Sequence, residues 1–404
     1  MKGGILMKPC IVLGVTGGIA AYKSLQLVSN LIKKGYEVHV IMTKNATEFV
    51  TPLSFETISH NRVSVDTFDR NFEYDVQHIS LAQKADCFVI APASANFIAK
   101  AAHGLADDML TTTFLAAECP KIICPAMNTH MLENPITQDN IKTCQKYGMM
   151  FVDSETGVLA CKDVGNGRLA DVTEIEEAIE CALVTNKFLK GKKLLVSAGA
   201  TVEHVDPVRT LSNPSTGKMG VAVAKVAKRL GAEVTLVCNT KEFIPKTIDH
   251  VIPFTSAASL EEIVLSQFDK MDIVVMAAAV SDYTPSVVYD YKVKKSDDDL
   301  SIPLKRTTDI LAECGKRKTH QLLCGFAMET ENLEGYATEK LIKKNLDMIA
   351  ANNLFVKGAG FATDTNVMTL ISPKGIVRLP LLSKEQTALE ILKKLTGETY
   401  ASNH

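Results

Sequence analysis

Residues 9–42 read PCIVLGVTGGIAAYKSLQLVSNLIKKGYEVHVIM, and their pattern decides the fold class. An apolar run, Pro9–Gly14, enters a glycine-rich turn, and an amphipathic helix follows over Ile19–Lys34. Gly35 ends that helix, and Glu37–Met42 is a second apolar run. Short β-branched runs alternating with helical spacing predict an α/β chain. Two further runs, Asp86–Ala91 and Lys121–Cys124, predict strands that are apolar on both faces, as a parallel sheet covered by helices requires.

The pattern restarts with a strand at Lys193–Ser197, a helix over Gly217–Leu230 and a strand at Glu233–Cys238. The halves echo one another: KKGYEVHVIMTKNA (33–46) parallels KRLGAEVTLVCNTK (228–241), and KADCFVIAPASAN (84–96) parallels KMDIVVMAAAVSD (270–282). Two successive Rossmann-like, three-layer α/β domains follow, 1–188 and 189–404, joined in the lysine-rich stretch Val184–Lys193.

The 404 residues carry 44 Lys+Arg against 46 Asp+Glu, a net charge of −2 with no long basic run, so a nucleic-acid partner is not expected. No apolar stretch reaches the ~18 residues of a membrane span. The longest, Cys87–Ala102, is broken by Pro92, Ser94, Asn96 and Lys100. The ten cysteines form no CxxC pair, Cys119 and Cys124 coming nearest, which reads as reduced thiols in a cytoplasmic protein. No cleavage-site signal is present, and the regular pattern begins at Lys8, which makes Met7 an alternative first residue to Met1.

The turn Gly14–Lys23 lets backbone N–H groups approach an anion at a helix N-terminus. It does not fit GxGxxG, and the second strand ends at Thr43 with no acidic residue for an NAD ribose. A mononucleotide phosphate fits; a ligand-free βα turn fits equally. Ala91–Asn96 and Pro125–Met131 follow the third and fourth strands, where open α/β sheets bind ligands. The Asn96 and Asn128 amides suit a carboxylate or a flavin edge. A lone His78 or Cys161 is more often structural than catalytic.

In the second half, the STGKMG stretch at 215–220 departs from GxxxxGK[ST] and leaves a plain capped helix start as an alternative to a phosphate site. Asp282 closes a strand with a carboxylate suited to ribose hydroxyls or Mg²⁺. Lys292, in the run KVKK, reads by itself as part of a solvated face. Lys340 and Lys344, four residues apart, share a helix face that suits polyphosphate.

Taken in order, GVTGGIAAYK, QHISL, PASAN, GLADDMLT, PAMNTHM and GVLACKDVGNGR resemble the flavin-containing cysteine decarboxylases, specifically phosphopantothenoylcysteine decarboxylase, over about residues 8–185. The resemblance implies a flavodoxin-like domain holding FMN at Gly17, Gly18, Ile19, Thr43, Ser94 and Asn96. It implies His78 as the base of the oxidation, Asn128 as the holder of the substrate carboxylate, and Cys161 as a proton donor. Gly165, Gly167 and Arg168 become a mobile clamp with glycine hinges. Phe97 stands where the family usually has Thr, which removes a hydroxyl contact to the flavin phosphate.

DPVRTLSN, GKMG, AAAVSDY, KVKK, GFAMET and KLIKKNLDMIAAN resemble phosphopantothenate–cysteine ligase over about residues 190–400. The pair together is similar to the bifunctional bacterial enzymes of coenzyme A biosynthesis. The resemblance implies CTP and Mg²⁺ as well as 4′-phosphopantothenate and cysteine as substrates. It makes Lys292 the group at the α-phosphate and places Asn213, with Arg209 nearby, at the acyl intermediate. The nucleotide pocket falls to Met276, Ala277, Ala278, Asp282, Thr308, Asp309, Ile310, Leu311, Phe326, Lys340 and Lys344. PSTG precedes Lys218 where SSG is usual. TTDI at 307–310 stands where NPDI is usual, which leaves CTP and ATP both open. Trimeric flavin domains and dimeric ligase domains, compatible with a dodecamer, are also implied, with FMN sites at subunit interfaces. The rival readings are a flavin oxidoreductase with a nucleotide-binding regulatory domain, and a flavin-binding regulatory subunit.

Overall fold

The computed structural model describes residues 8–68, 76–158, 164–294, 301–329, 333–353 and 363–398. The chain divides into two compact units, Met1–Thr185 and Asn186–His404.

The first unit is built on five parallel strands: β1 Cys10–Val15, β2 Glu37–Met42, β3 Cys87–Ala93, β4 Lys121–Pro125 and β5 Met150–Phe151. Their order is β2-β1-β3-β4-β5. Every residue of β1 and β3 is buried, because helices cover both faces. Period-two alternation sends Ile11, Leu13, Val89 and Ile122 into one core and Val12, Phe88, Ile90 and Ile123 into the other. The helix Ala21–Lys33 buries Ala21, Ser24, Leu27, Val28 and Leu31, the three-and-four spacing of one helical face. The Ser24 hydroxyl donates to the Ala91 carbonyl at 2.6 Å and ties that helix to β3. A separate antiparallel hairpin, β6 Glu155–Val158 and β7 Val164–Arg168, lies beside the main sheet in sequence.

The second unit holds an eight-stranded sheet. Its strands are β8 Lys193–Gly199, β9 Glu233–Asn239, β10 His250–Pro253, β11 Ile273–Met276, β12 Leu322–Glu329, β13 Met348–Asn353, β14 Met368–Ser372 and β15 Gly375–Arg378. In sheet order they run β10-β9-β8-β11-β12-β13-β14-β15. The first six are parallel, in the doubly wound order 3-2-1-4-5-6, and β14 and β15 close one edge as an antiparallel hairpin. The helix Lys218–Arg229 packs against β8 and against the helix Lys384–Thr396. An Arg229–Glu385 ion pair of 2.6 Å joins those two helices.

Both units are therefore α/β, as the alternation of apolar runs and helical spacing predicts. Predicted strand ends and observed ones differ by a residue or two: Lys193–Ser197 extends to Gly199, and Asp86–Ala91 shifts to Cys87–Ala93. Among the described residues no helix is long and apolar enough to cross a membrane.

Candidate functional site

In an open α/β sheet the crevice forms where two neighbouring strands send their connections to opposite faces. In the first unit that point lies between β1 and β3, and a buried threonine fastens it. Thr16 donates its hydroxyl to the Pro92 carbonyl at 2.8 Å and accepts from the Ser94 N–H at 2.9 Å. Two clefts flank this clamp. One, of about 570 Å³, is lined by Gly17, Thr43, Ser94 and Asn96 among others; the second, of about 480 Å³, is lined by Gly17, Gly18, Ile19, Ser94, Asn128, Gly167 and Arg168. All six residues named from sequence as flavin contacts thus border one connected region.

The local chemistry suits an anionic mononucleotide. A side chain on Gly17 would meet Asn45 Cβ at 2.4 Å, whereas a Cβ on Gly18 would meet nothing within 4 Å. The turn is closed toward the protein and open toward the cleft. Thr43 and Ser94 each cap a short helix, accepting from Ala46 N–H and Phe97 N–H at 3.3 Å, so their hydroxyl protons remain for a ligand. Phe97 is buried at 2% exposure and packs edge-to-face on Phe114 with ring centroids 5.2 Å apart. Its ring fills the core, so the aromatic residue serves packing there.

Asn128 caps the helix Thr129–Glu133, its side-chain oxygen accepting from the His130 N–H at 2.9 Å. Beside it, the expected hinge is a strand. Gly165–Arg168 belong to β7, and the two glycines are needed for close approach. A Cβ on Gly165 would lie 2.3 Å from Thr129 Oγ1, and one on Gly167, whose φ is +133°, would lie 2.1 Å from the Met127 carbonyl oxygen. Met127 N–H donates to the Gly167 carbonyl at 2.9 Å, pinning β7 to the Asn128 loop. Glycine-rich sequence here marks tight packing rather than hinges, and of the three residues expected to form a clamp only Arg168 brings a side chain to the cleft.

His78 is half-buried at the start of the helix Gln77–Lys84 and lines neither cleft within one copy of the chain. Cys161 lies outside the described residues. Two cations escaped the sequence-based site. Lys23 lines the second cleft with Arg168; burial, and then the Arg168 charge, hold its pKa below that of an ordinary lysine. Lys100 lines the first and pairs with Asp107 at 2.6 Å and Asp108 at 3.1 Å. Lys23 follows the glycine turn by five residues, a spacing that puts it on the first helical turn and was the available signal.

In the second unit the corresponding point lies between β8 and β11. A cavity of about 750 Å³ there is lined by Met276, Ala278, Asp282, Thr308, Asp309, Ile310, Leu311, Phe326, Lys340 and Lys344, together with Asn213. Ala277 borders a smaller adjoining pocket. The residues spread over 276–344 come from different kinds of element: Met276 closes β11, Phe326 lies within β12, Asp309 caps the helix Ile310–Arg317, and Lys340 and Lys344 come from the end of the helix Leu333–Lys343. Lys344 Nζ lies 2.7 Å from Asp309 Oδ2. Burial pushes the Asp309 carboxyl up, but the Lys344 ammonium and the Ala312 N–H outweigh it and hold the group below the usual carboxylate range. Asn213 Nδ2 donates to the Ala279 carbonyl at 3.3 Å.

Lys292 is exposed and lines neither cavity. Its neighbour Val293 is anchored: Val293 N–H donates to Asp206 Oδ2 at 3.3 Å, and Arg209 Nη2 donates to the Val293 carbonyl at 3.1 Å. Asp206 is fully buried and also accepts from the N–H groups of Val208 and Arg209, both at 2.8 Å. Lys295 lies outside the described residues. Among the described residues one thiol–imidazole–carboxylate group, Cys10, His39 and Glu37, has ligand spacing, but the Lys84 ammonium already sits 2.5 Å from Glu37 Oε1.

Residues 4–183 match the family described as Flavoprotein, and residues 189–398 match the DNA/pantothenate metabolism flavoprotein C-terminal domain. The fold and sites thus define a flavoprotein unit followed by a pantothenate-metabolism unit. The chain is 46% identical over 391 residues to the coenzyme A biosynthesis bifunctional protein CoaBC of Bacillus subtilis, covering 96% of each chain. It is 41% identical over 387 residues to that of Haemophilus influenzae, covering 95% of this chain and 96% of that one. The crystal structure of the C-terminal domain of a CoaBC protein is 41% identical and covers 53% of this chain and 99% of that one, with a TM-score of 0.45. The chain belongs to the family of coenzyme A biosynthesis bifunctional proteins and is a bifunctional enzyme of that pathway.

Proposed function

We propose that residues 189–404 join cysteine to 4′-phosphopantothenate at the expense of CTP, and that residues 1–188 decarboxylate the product to 4′-phosphopantetheine. The observation that carries this reading is the convergence of ten residues, named from sequence as nucleotide contacts, on the single 750 Å³ cavity. In that cavity the substrate carboxylate attacks the α-phosphate of CTP, pyrophosphate leaves, and cysteine's amine displaces CMP from the acyl-cytidylate. Lys292 offsets charge at the α-phosphate, a role that requires its anchored segment to fold over the cavity. Asn213 orients the acyl group, Lys340 and Lys344 hold phosphate oxygens, and Mg²⁺ accompanies the nucleotide.

In the first unit, FMN, when bound, supplies two-electron oxidation of the substrate thiol and the return of those electrons. Gly17, Gly18, Ile19, Thr43, Ser94 and Asn96 hold it. Asn128 and Arg168 bind the carboxylate end of the substrate, His78 accepts a proton during oxidation, and Cys161 returns one at the end. His78 stands outside the clefts of its own copy, which supports its action on the cleft of a neighbouring copy in a cytoplasmic homo-oligomer built from trimeric flavin units and dimeric ligase units.

The test is to supply 4′-phosphopantothenate, cysteine, Mg²⁺ and either CTP or ATP to the flavin-loaded chain. Pyrophosphate, 4′-phosphopantetheine and CO2 are expected with CTP. Absence of pyrophosphate with CTP refutes the ligase assignment. Accumulation of phosphopantothenoylcysteine without CO2, with FMN added, refutes the decarboxylase assignment. His78→Asn should stop turnover before CO2 release; full activity in that variant rules out the role given to His78.

A further inference from the structure

The amino ends of β1 and β2 lie roughly 16 Å along the strands from the glycine turn and the clefts at their carboxyl ends. In the parallel register Cys10 stands beside Glu37, and Val12 beside His39. Side chains two residues apart share a face of a strand, so Cys10, Glu37 and His39 project together toward the end of the helix Gln77–Lys84. The Cys10 thiol, one Glu37 carboxylate oxygen and one His39 ring nitrogen all lie within 4.8 Å of one another. Neither of the proposed reactions uses any of them.

Lys84 Nζ occupies the mouth of this group, 2.5 Å from Glu37 Oε1 and 3.3 Å from His39 Nε2. The group thus seats a positive charge already, and the Lys84 hydrogen bond holds the Glu37 carboxyl below the usual carboxylate range. The Lys84 side chain is 46% exposed and can swing into water. Cys10, only 3% exposed, is fixed through its N–H, which donates to Asp86 Oδ2 at 2.7 Å. Burial, followed by the Glu37 charge, pushes the Cys10 thiol up to about 12, so its proton leaves only in exchange for a stronger cation than one ammonium. Two hydrogen-bonded strands carry all three donors, a more rigid mount than a loop provides.

We propose that Cys10, Glu37 and His39 form a binding site for a zinc-class divalent cation, which displaces the Lys84 ammonium. Thiolate, imidazole and carboxylate together select a borderline-soft ion, whereas Mg²⁺ prefers oxygen alone. Tetrahedral bonds of about 2.0–2.3 Å set the donors about 3.5 Å apart, which small side-chain rotations reach from the observed spacing. On binding, an Sγ–metal bond replaces the S–H bond and the proton passes to solvent. Lys84 leaves as an ammonium, water takes the fourth, solvent-facing position, and no electron is transferred.

Co²⁺ reports tetrahedral thiolate coordination by absorption at wavelengths longer than those of a flavin, and it tests this on the untagged, flavin-loaded full chain after treatment with chelator. Strong bands should appear in the wild type, disappear when Zn²⁺ is added in equal amount, and survive excess Mg²⁺. Cys10→Ala should abolish them, while Cys119→Ser, which removes a half-buried thiol outside the set, should leave them in place. His39→Gln should weaken the affinity roughly tenfold or more. Lys84→Met should tighten both Co²⁺ and Zn²⁺ roughly tenfold, because the competing charge is gone, and a damaged fold cannot produce that gain. The proposal is overturned if the wild type gives no tetrahedral bands, if the bands persist in Cys10→Ala, or if Lys84→Met binds no more tightly than the wild type.

Discussion

Thr16→Val removes one hydroxyl from the first unit and keeps the shape of the side chain. Thr16 is 2% exposed, and its hydroxyl joins the ends of β1 and β3 through Pro92 and Ser94. In the variant the Pro92 carbonyl keeps its bond from the Thr16 backbone N–H at 3.3 Å, but the Ser94 N–H loses the Thr16 hydroxyl as its acceptor. The Ser94 N–H is half-buried, so losing its acceptor costs about 1 kcal/mol, the low end for a stranded donor, and the lost bond to Pro92 adds about 1 kcal/mol, so destabilisation of about 2 kcal/mol is expected. Ser94 borders both clefts, so the same change should loosen flavin binding. Urea unfolding followed by flavin release reports this unit alone, and repeating it at several flavin concentrations separates lost affinity from lost intrinsic stability. Thr16→Ser is the control: it keeps the hydroxyl and deletes one methyl, at about 1 kcal/mol. If Thr16→Val unfolds at the same urea concentration as Thr16→Ser and binds flavin equally well, the clamp is not what holds the crevice together.

In the second unit, burial pushes the Asp206 carboxyl up, yet the N–H groups of Val208, Arg209 and Val293 outweigh burial and hold it below the usual carboxylate range. A depressed folded-state pKa contributes stability that is fully present above the unfolded value of about 3.9 and is lost as pH falls through the folded one. Acid titration of the wild type should therefore show this loss, and Asp206→Asn, which has no carboxyl there, should show a flatter profile. Gly167→Ala combines a φ of +133° with a Cβ 2.1 Å from a carbonyl oxygen, whereas Gly148→Ala has a φ of +83° and nothing within 4 Å. The second should cost about 1 kcal/mol in thermal unfolding, and the first distinctly more, with lower decarboxylation. Lys344→Ala leaves the Asp309 carboxylate facing the nucleotide cavity. The nucleotide KM should rise about tenfold, and adding Asp309→Asn should recover part of that loss, as a double-mutant cycle would record.

How much of this was legible in the sequence depends on where each residue stands relative to a strand end. Parallel strands all point the same way, so any segment directly after one arrives at the same edge of the sheet. For that reason the positions of PASAN, PAMN and AAAVSD at sheet edges could be read from their order, while the ligands assigned to them came from the family resemblance. His78 and Lys292 follow no strand of either main sheet. One opens a helix ahead of β3, and the other sits in a loop tied down beside it by Asp206 and Arg209. Their placement depends on loop paths that the hydrophobic pattern does not encode. Gly165 and Gly167 show a different limit: a glycine serves a hinge or a close approach equally well, and only the neighbours, Thr129 and Met127, decide which. Phe97 shows a third. Its position three residues after the cap Ser94 turns it to the buried face of the helix Ala95–His103, so a departure read as a lost ligand contact is a core substitution.

The echo between the halves has a topological meaning that the strand orders supply. The segments at 84–96 and 270–282 contain β3 and β11, each the strand beside the first strand of its sheet on the side away from the second. The second unit places one extra strand, β10, between them in sequence, but adds it at the outer edge beyond β9, so the crevice is undisturbed. Both crevices also carry the same fastening. Thr201, fully buried after β8, accepts from the Ser281 N–H at 3.0 Å, as Thr16 accepts from Ser94 at 2.9 Å. With frame and fastening held in common, the difference in ligand falls on the residues just past the second strand of each crevice. Neutral Ser94 and Asn96 border the cleft proposed for the flavin, while Asp282 brings a carboxylate to the cavity proposed for the nucleotide, where a cation or ribose hydroxyls are its natural partners.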